Sequence, residues 1–287
     1  MNYYEKLAAR TRAVGAPLCV GLDPAFDKHR VEDVADFNRA IVEATAPYTA
    51  CYKPNIAFYE QWGIPGLRAL EVTLAAIPDD IPVIGDVKRG DMGNTAEAYA
   101  RAMFDQWDFD AITLNGYLGL ESIEPYLAYP DRGFYLLCRT SNPGARDLQY
   151  ATVHDAPLFA DSARRASGVT AAGGVEVAGR PLFEHMALVQ TGWSERIGLV
   201  VGATAPAELR RVRELVPNAS ILVPGVGAQG GSAADSIAAA WTGPGSLVVS
   251  ASRSILYAAE GAGFADAAAN AARELRDEMA AAASTPA

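Results

Sequence analysis

Two carboxylates and an ammonium sit close together in Pro82-Val-Ile-Gly-Asp-Val-Lys-Arg-Gly-Asp-Met-Gly-Asn-Thr95. The stretch starts as a short apolar β-like run and ends where Asn94-Thr95-Ala96-Glu97 opens a helix. Residues two apart on a strand point to one side, so Asp86 and Lys88 share a face. Asp91 follows just past the strand end, where a loop could return it toward them. Clustered opposite charges at a strand terminus suit proton transfer and the stabilisation of charge that develops during a reaction. The plainer reading is a solvated turn with one ion pair, worth under ~1 kcal/mol.

Such a cluster acts only if the chain around it holds it in place. Strand-like apolar runs are predicted at 17–22, 50–53, 82–88, 111–115, 133–139, 198–203, 220–224 and 247–251. Helix-like stretches at 34–46, 66–77, 95–104, 122–127, 182–190, 206–216, 233–241 and 265–283 alternate with them. The strands are near-continuous apolar runs, as expected where both faces are covered. Eight βα units in one chain of 287 residues predict an α/β fold, a single-domain (β/α)8 TIM barrel; a doubly wound sheet shares the alternation. The barrel is favoured because Asp23, Lys53, Asn55, Asp86, Lys88, Asn115 and Ser141 all lie at or just past C-terminal strand ends, which converge on one mouth in a barrel. Two regions break the rhythm. One is an insertion at 141–179 with a helical portion at 157–167, long enough to suggest a lid; the other is an Ala-rich C-terminal helix at about 264–283.

Composition excludes several functions. The net charge is −10, with 34 acidic against 24 basic residues, which argues against nucleic-acid or anionic-membrane binding. No run approaches the ~20 apolar residues of a membrane span, and Met1-Asn-Tyr-Tyr-Glu-Lys6 lacks a signal-peptide core. A cytoplasmic location is expected. Cys19, Cys51 and Cys138 lie in strand-like runs and read as small buried hydrophobes, and His29, His154 and His185 show no paired metal spacing.

A second chemical feature ends the seventh run: Pro224-Gly-Val-Gly-Ala-Gln-Gly-Gly231. Gly225-x-Gly227-x-x-Gly230 satisfies the dinucleotide fingerprint, but no carboxylate ends the next strand to hold a ribose, so NAD binding is disfavoured. The same glycines let backbone N–H groups close on a phosphate, with Gln229 as an added donor. Ser252-Arg253-Ser254 follows the eighth run at a helix N-terminus, and Arg253 supplies a bidentate fork for phosphate. Barrels frequently hold phosphate with these two loops.

Together these residues resemble a known family. Asp86-x-Lys88-x-x-Asp91-Met-x-x-Thr95 resembles the Asp-x-Lys-x-x-Asp-Ile-x-x-Thr signature of orotidine 5′-phosphate decarboxylases, with Met92 in place of Ile. Val20-Gly-Leu-Asp23, Lys53, Pro224–Gln229 and Ser252-Arg253-Ser-Ile255 extend the likeness over about residues 16–256, and Arg139-Thr-Ser-Asn-Pro-Gly144 is similar to the longer bacterial subgroup (type 2). The resemblance implies decarboxylation of orotidine 5′-phosphate to UMP and CO2 in pyrimidine synthesis. Lys53, Asp86, Lys88 and Asp91 would form the catalytic array. Asp23 would hold the ribose and Ser141 the pyrimidine; Pro224, Gln229, Gly230, Ser252 and Arg253 would grip the phosphate. It also implies a homodimer in which Asp91 and Thr95 reach the neighbouring site, and no metal or organic cofactor. A sugar-phosphate lyase of the same barrel group would need an acidic residue for Mg²⁺ at the end of the second strand, where Tyr52-Lys53-Pro54 stands. A non-catalytic nucleotide-binding barrel would have no use for the clustered charges.

Overall fold

The apolar runs become eight parallel strands: β1 (Leu18–Gly21), β2 (Cys51–Lys53), β3 (Ile84–Arg89), β4 (Ala111–Leu114), β5 (Gly133–Arg139), β6 (Ile197–Val201), β7 (Ile221–Pro224) and β8 (Leu247–Ala251). The structure is a computed structural model that describes residues 1–153, 179–227 and 229–284. The strands pair in the order β2-β1-β8-β7-β6-β5-β4-β3. Parallel bridges Tyr52–Val83 and Asn55–Asp86 join the two ends, so the sheet closes into a barrel and a doubly wound sheet is excluded. The sequence-predicted strands differ from these only at their ends.

The α-helices among the described residues are α1 (Tyr3–Val14), α2 (Val31–Thr45), α3 (Ala57–Glu60), α4 (Ile64–Ala75), α5 (Gly93–Arg101), α6 (Glu124–Leu127), α7 (Ala145–Gln149), α8 (Leu182–Trp193), α9 (Pro206–Leu215), α10 (Ala233–Ala240), α11 (Arg253–Leu256) and α12 (Phe264–Ala283). Between helices and sheet lie two apolar layers, one around Leu18, Val20, Leu199, Ile221 and Val249, the other around Ile112, Leu114, Phe134 and Leu136. α12 packs on α2 and α10 through Ala268, Ala272 and Met279, all buried.

The barrel interior is a third layer. Cys19, Cys51, Ile84, Ala111, Tyr135, Val200, Leu222 and Val248 cluster with Tyr3 and Leu7 of α1. The three cysteines are free and buried, in keeping with their reading as small hydrophobes. α1 itself was not anticipated, although its signals are in the chain. Asn2 and Glu5 form a capping box, and Gly15 ends the helix at φ 81°. Its Tyr3 hydroxyl meets that of Tyr135 at 3.0 Å, and Tyr135 meets Ser220 at 2.9 Å, so α1 seals the end of the barrel away from the site.

After β5 the chain passes through α7 to Thr152–Val153, which pairs antiparallel with Arg180–Pro181. The helix expected at 157–167, and His154, lie outside the described residues.

Candidate active site

The C-terminal ends of the strands surround a cavity of about 780 Å³ lined, among others, by Asp23, Lys53, Asp86, Lys88, Ser141 and Arg253. At its floor Asp86 is pinned between two cations. Lys53 Nζ lies 3.0 Å from Oδ2 and Lys88 Nζ 2.6 Å from Oδ1, and the Thr113 hydroxyl donates to Oδ1 at 2.9 Å. The Lys53 side chain is 6% exposed and that of Lys88 47%. Burial opposes the charge on Asp86, but the two ammonium groups outweigh it and hold the carboxyl well below its ordinary range. Burial likewise opposes the Lys53 charge, and Asp86 with Asp23 outweighs it, holding the ammonium above the usual lysine range. The site therefore carries a fixed carboxylate, a buried cation, and a second cation with freedom to approach a ligand.

The two lysines and the aspartate reach this arrangement by different routes. Lys53 ends β2 and Asp86 lies on β3, the neighbouring strand; Asp86 N–H donates to Pro54 O at 3.0 Å. Lys88 does not follow simple strand alternation, because its φ is 46° and β3 is irregular there. Two residues past β1, Asp23 accepts the Asn55 N–H at 3.0 Å. Gly21 is required two residues earlier, since a Cβ there would stand 2.7 Å from Ser252 Cβ.

Across the cavity, Gly225 (φ 99°) and Gly227 (φ 75°) shape the loop after β7, conformations costly for any other residue. Pro224, Gly225, Val226 and Gln229 line the cavity there. The Ser141 hydroxyl donates to Gln229 Oε1 at 2.8 Å, tying the β5 and β7 loops together. Ser252 and Arg253 line the adjoining wall; the Ser252 Oγ is buried without a partner among the described residues. This rim can bind an anion through backbone N–H groups, an amide, a hydroxyl and a guanidinium.

Four expected positions lie elsewhere. Asp91 does not return to its own Asp86 and Lys88: it lies outside the cavity lining, and its Oδ1 accepts the Met92 N–H at 2.8 Å. Thr95, exposed on α5, is also outside the lining. Gly230 makes the turn behind the phosphate loop, its N–H donating to Gly227 O at 2.8 Å. Asn115 caps a helical turn by accepting the Tyr117 N–H at 3.1 Å and does not line the cavity. Conversely, Thr113, Asn142, Lys28 and Tyr257 line it without having been singled out. Within the apolar run Ala111–Leu114, Thr113 carries no local cue that sets it apart from an ordinary strand residue. Among the described residues no group of three His, Cys, Asp or Glu side chains is placed to hold a metal ion.

Comparison with known proteins shows what the chain is similar to. The family model for Orotidine 5′-phosphate decarboxylase / HUMPS matches residues 16–268. The chain is 43% identical over 289 residues to an orotidine 5′-phosphate decarboxylase from Thermomicrobium roseum, covering 97% of this chain and 95% of that one. It is 43% identical over 304 residues to the enzyme of that name from Albidiferax ferrireducens, covering 98% and 99%. Among solved structures, the OMP decarboxylase of Leishmania donovani superposes with a TM-score of 0.79 at 34% identity, covering 97% of this chain and 99% of that one.

Proposed function

The chain belongs to the orotidine 5′-phosphate decarboxylase / HUMPS family, and from that membership we propose how its own residues perform the family's reaction. It is a carboxy-lyase of pyrimidine biosynthesis that converts orotidine 5′-phosphate to UMP and CO2. Breaking the bond between C6 and the carboxylate leaves an electron pair on an sp² carbon with no adjacent sink. The stabilisation has to come from fixed charge placed where that pair develops. Lys88 is the group for this: its ammonium stands by the nascent carbanion and then delivers the proton to C6, giving UMP. Asp86 sits beside the departing carboxylate, and Lys53 keeps it ionised and oriented. Asp23 binds the ribose and Ser141 the pyrimidine. The phosphate lies on Gln229, Ser252 and Arg253, with Pro224 and Gly230 shaping its loop. Binding energy from that remote phosphate can hold the loops closed over the reacting carbon.

The observation that carries this reading is Asp86, a nearly enclosed carboxylate bonded to a buried lysine on one side and a half-exposed one on the other. Lys53 also argues against the sugar-phosphate branch, since an ammonium 3.0 Å from Asp86 would repel a divalent cation at that strand end. We further propose a homodimer in which Asp91 and Thr95 complete the partner's site. Both lie outside their own cavity, and Met92 and Tyr117 on neighbouring loops leave 58% and 85% of their surface exposed, apolar area suited to a second copy. The enzyme is proposed to act without metal or organic cofactor in the cytoplasm; no helix among the described residues is long and apolar enough to cross a membrane. The decisive experiment is UMP formation by Lys88→Ala: a folded protein without turnover is expected, and retained turnover would remove Lys88 from its role. Activity abolished by EDTA would refute cofactor independence.

A further inference from the structure

β3 does not run beside β4 in even register. Gly85 pairs with Ile112, but the next pair is Arg89 with Leu114, so Asp86, Val87 and Lys88 face the single residue Thr113. Inside this bulge Lys88 has φ 46°, a left-handed conformation unfavourable for a residue with a long side chain. Bulged backbone loses its ladder partners, and its buried N–H groups need acceptors. The Thr113 hydroxyl provides one for both. Its Oγ1 accepts from Val87 N at 2.9 Å and Lys88 N at 3.0 Å, and its proton goes to Asp86 Oδ1 at 2.9 Å. One donor and two lone pairs are all a threonine hydroxyl has, so its capacity is filled. Its β-branched side chain is stiff about χ1, and the residue is 2% exposed.

We propose that Thr113 is a positioning residue for decarboxylation: it holds the β3 bulge together and through it aims the Lys88 ammonium and the Asp86 carboxylate. The inference rests on the roles given above to those two residues. Without the hydroxyl, Val87 and Lys88 would regain regular strand geometry or lose their amide partners, and either change moves the lysine. Displacements of about 1 Å at a reacting group cost on the order of a hundredfold in rate.

The test compares Thr113→Val, which keeps volume and branching but removes the hydroxyl, with Thr113→Ser, which keeps the hydroxyl. The valine variant is expected to lose about a hundredfold in kcat with KM changed less than about threefold, while serine stays within about fivefold of the parent. Thr113→Ala, a second variant without the hydroxyl and free of crowding, should match valine. UMP binding measured by calorimetry should persist in all three, because the phosphate rim lies on other strands. A valine or alanine variant within threefold of the parent, or serine as impaired as valine, overturns the proposal. Turnover retained by Lys88→Ala would instead show that the lysine's assigned role has failed.

Discussion

Asp86 binds Lys53 through one carboxylate oxygen and Lys88 through the other, at 3.0 Å and 2.6 Å. The two lysines are nonetheless unlike. Lys53 is enclosed, with Asp86 bonded to it and Asp23 also favouring its charge, whereas Lys88 is half exposed on a bulge at the cavity.

That difference separates stability from activity. Lys53→Met should destabilise the fold by about 3 kcal/mol, since it strips a buried carboxylate of its enclosed partner. Lys88→Met should cost under about 1 kcal/mol and abolish turnover. Urea unfolding of both variants checks the contrast; equal losses would mean that the two ion pairs are equivalent.

Asp86→Asn leaves Lys53 buried beside a neutral amide and should cost roughly 3–5 kcal/mol. The pair also has a pH signature. Asp86 is held below its ordinary 3.8, so its contribution is full above about pH 4 and is lost as pH falls further. Lys53 is held above its ordinary 10.5, so its contribution is full below that value and is lost as pH rises past it. The difference in Tm between parent and Asp86→Asn should be flat from about pH 5 to 9 and narrow on acidification.

Arg253→Ala should raise KM for orotidine 5′-phosphate, with a loss of about 1.5–3 kcal/mol for a charge-assisted contact. Binding of the corresponding nucleoside, which has no phosphate, should change little. Calorimetry with UMP and uridine reads the two, and parallel losses would place Arg253 elsewhere than on the phosphate.

If Asp91 serves the partner's site, mixing two inactive variants restores activity. A dimer of Lys88→Ala with Asp91→Ala holds one site with both residues intact, so random mixing should recover about a quarter of parental turnover. No recovery after subunit exchange, shown by mass spectrometry, would place Asp91 outside the neighbouring site.

What could be read from sequence follows from the range of the interactions. The strands were legible because both of their faces are covered, which writes continuous apolar runs such as Ile197–Val201. Asp86, Lys88 and the phosphate glycines were legible because close spacing at strand ends survives folding. Thr113 was hidden: within Ala111–Leu114 a threonine reads as an ordinary β-former, and its partners are 25–27 residues away. Asn115 was misplaced because a strand-end polar residue can cap the next turn instead of facing the mouth. The position of Asp91 depends on the left-handed turn at Lys88, which no local periodicity encodes. α1 was overlooked although its capping box and Gly15 are local signals.

The helix at the barrel's sealed end has a consequence for the order in which the molecule assembles. α1 is synthesised before the strands it closes, and the hydroxyl that meets Tyr3 belongs to Tyr135, and the next link in the chain to Ser220. Until those residues are made, the Tyr3 hydroxyl has no partner and α1 rests on only part of its cluster, the side chains of Cys19, Cys51, Ile84 and Ala111, and contacts so distant in sequence form slowly. The floor is therefore expected to close late, and pulsed hydrogen exchange should find the α1 amides protected after those of the central strands.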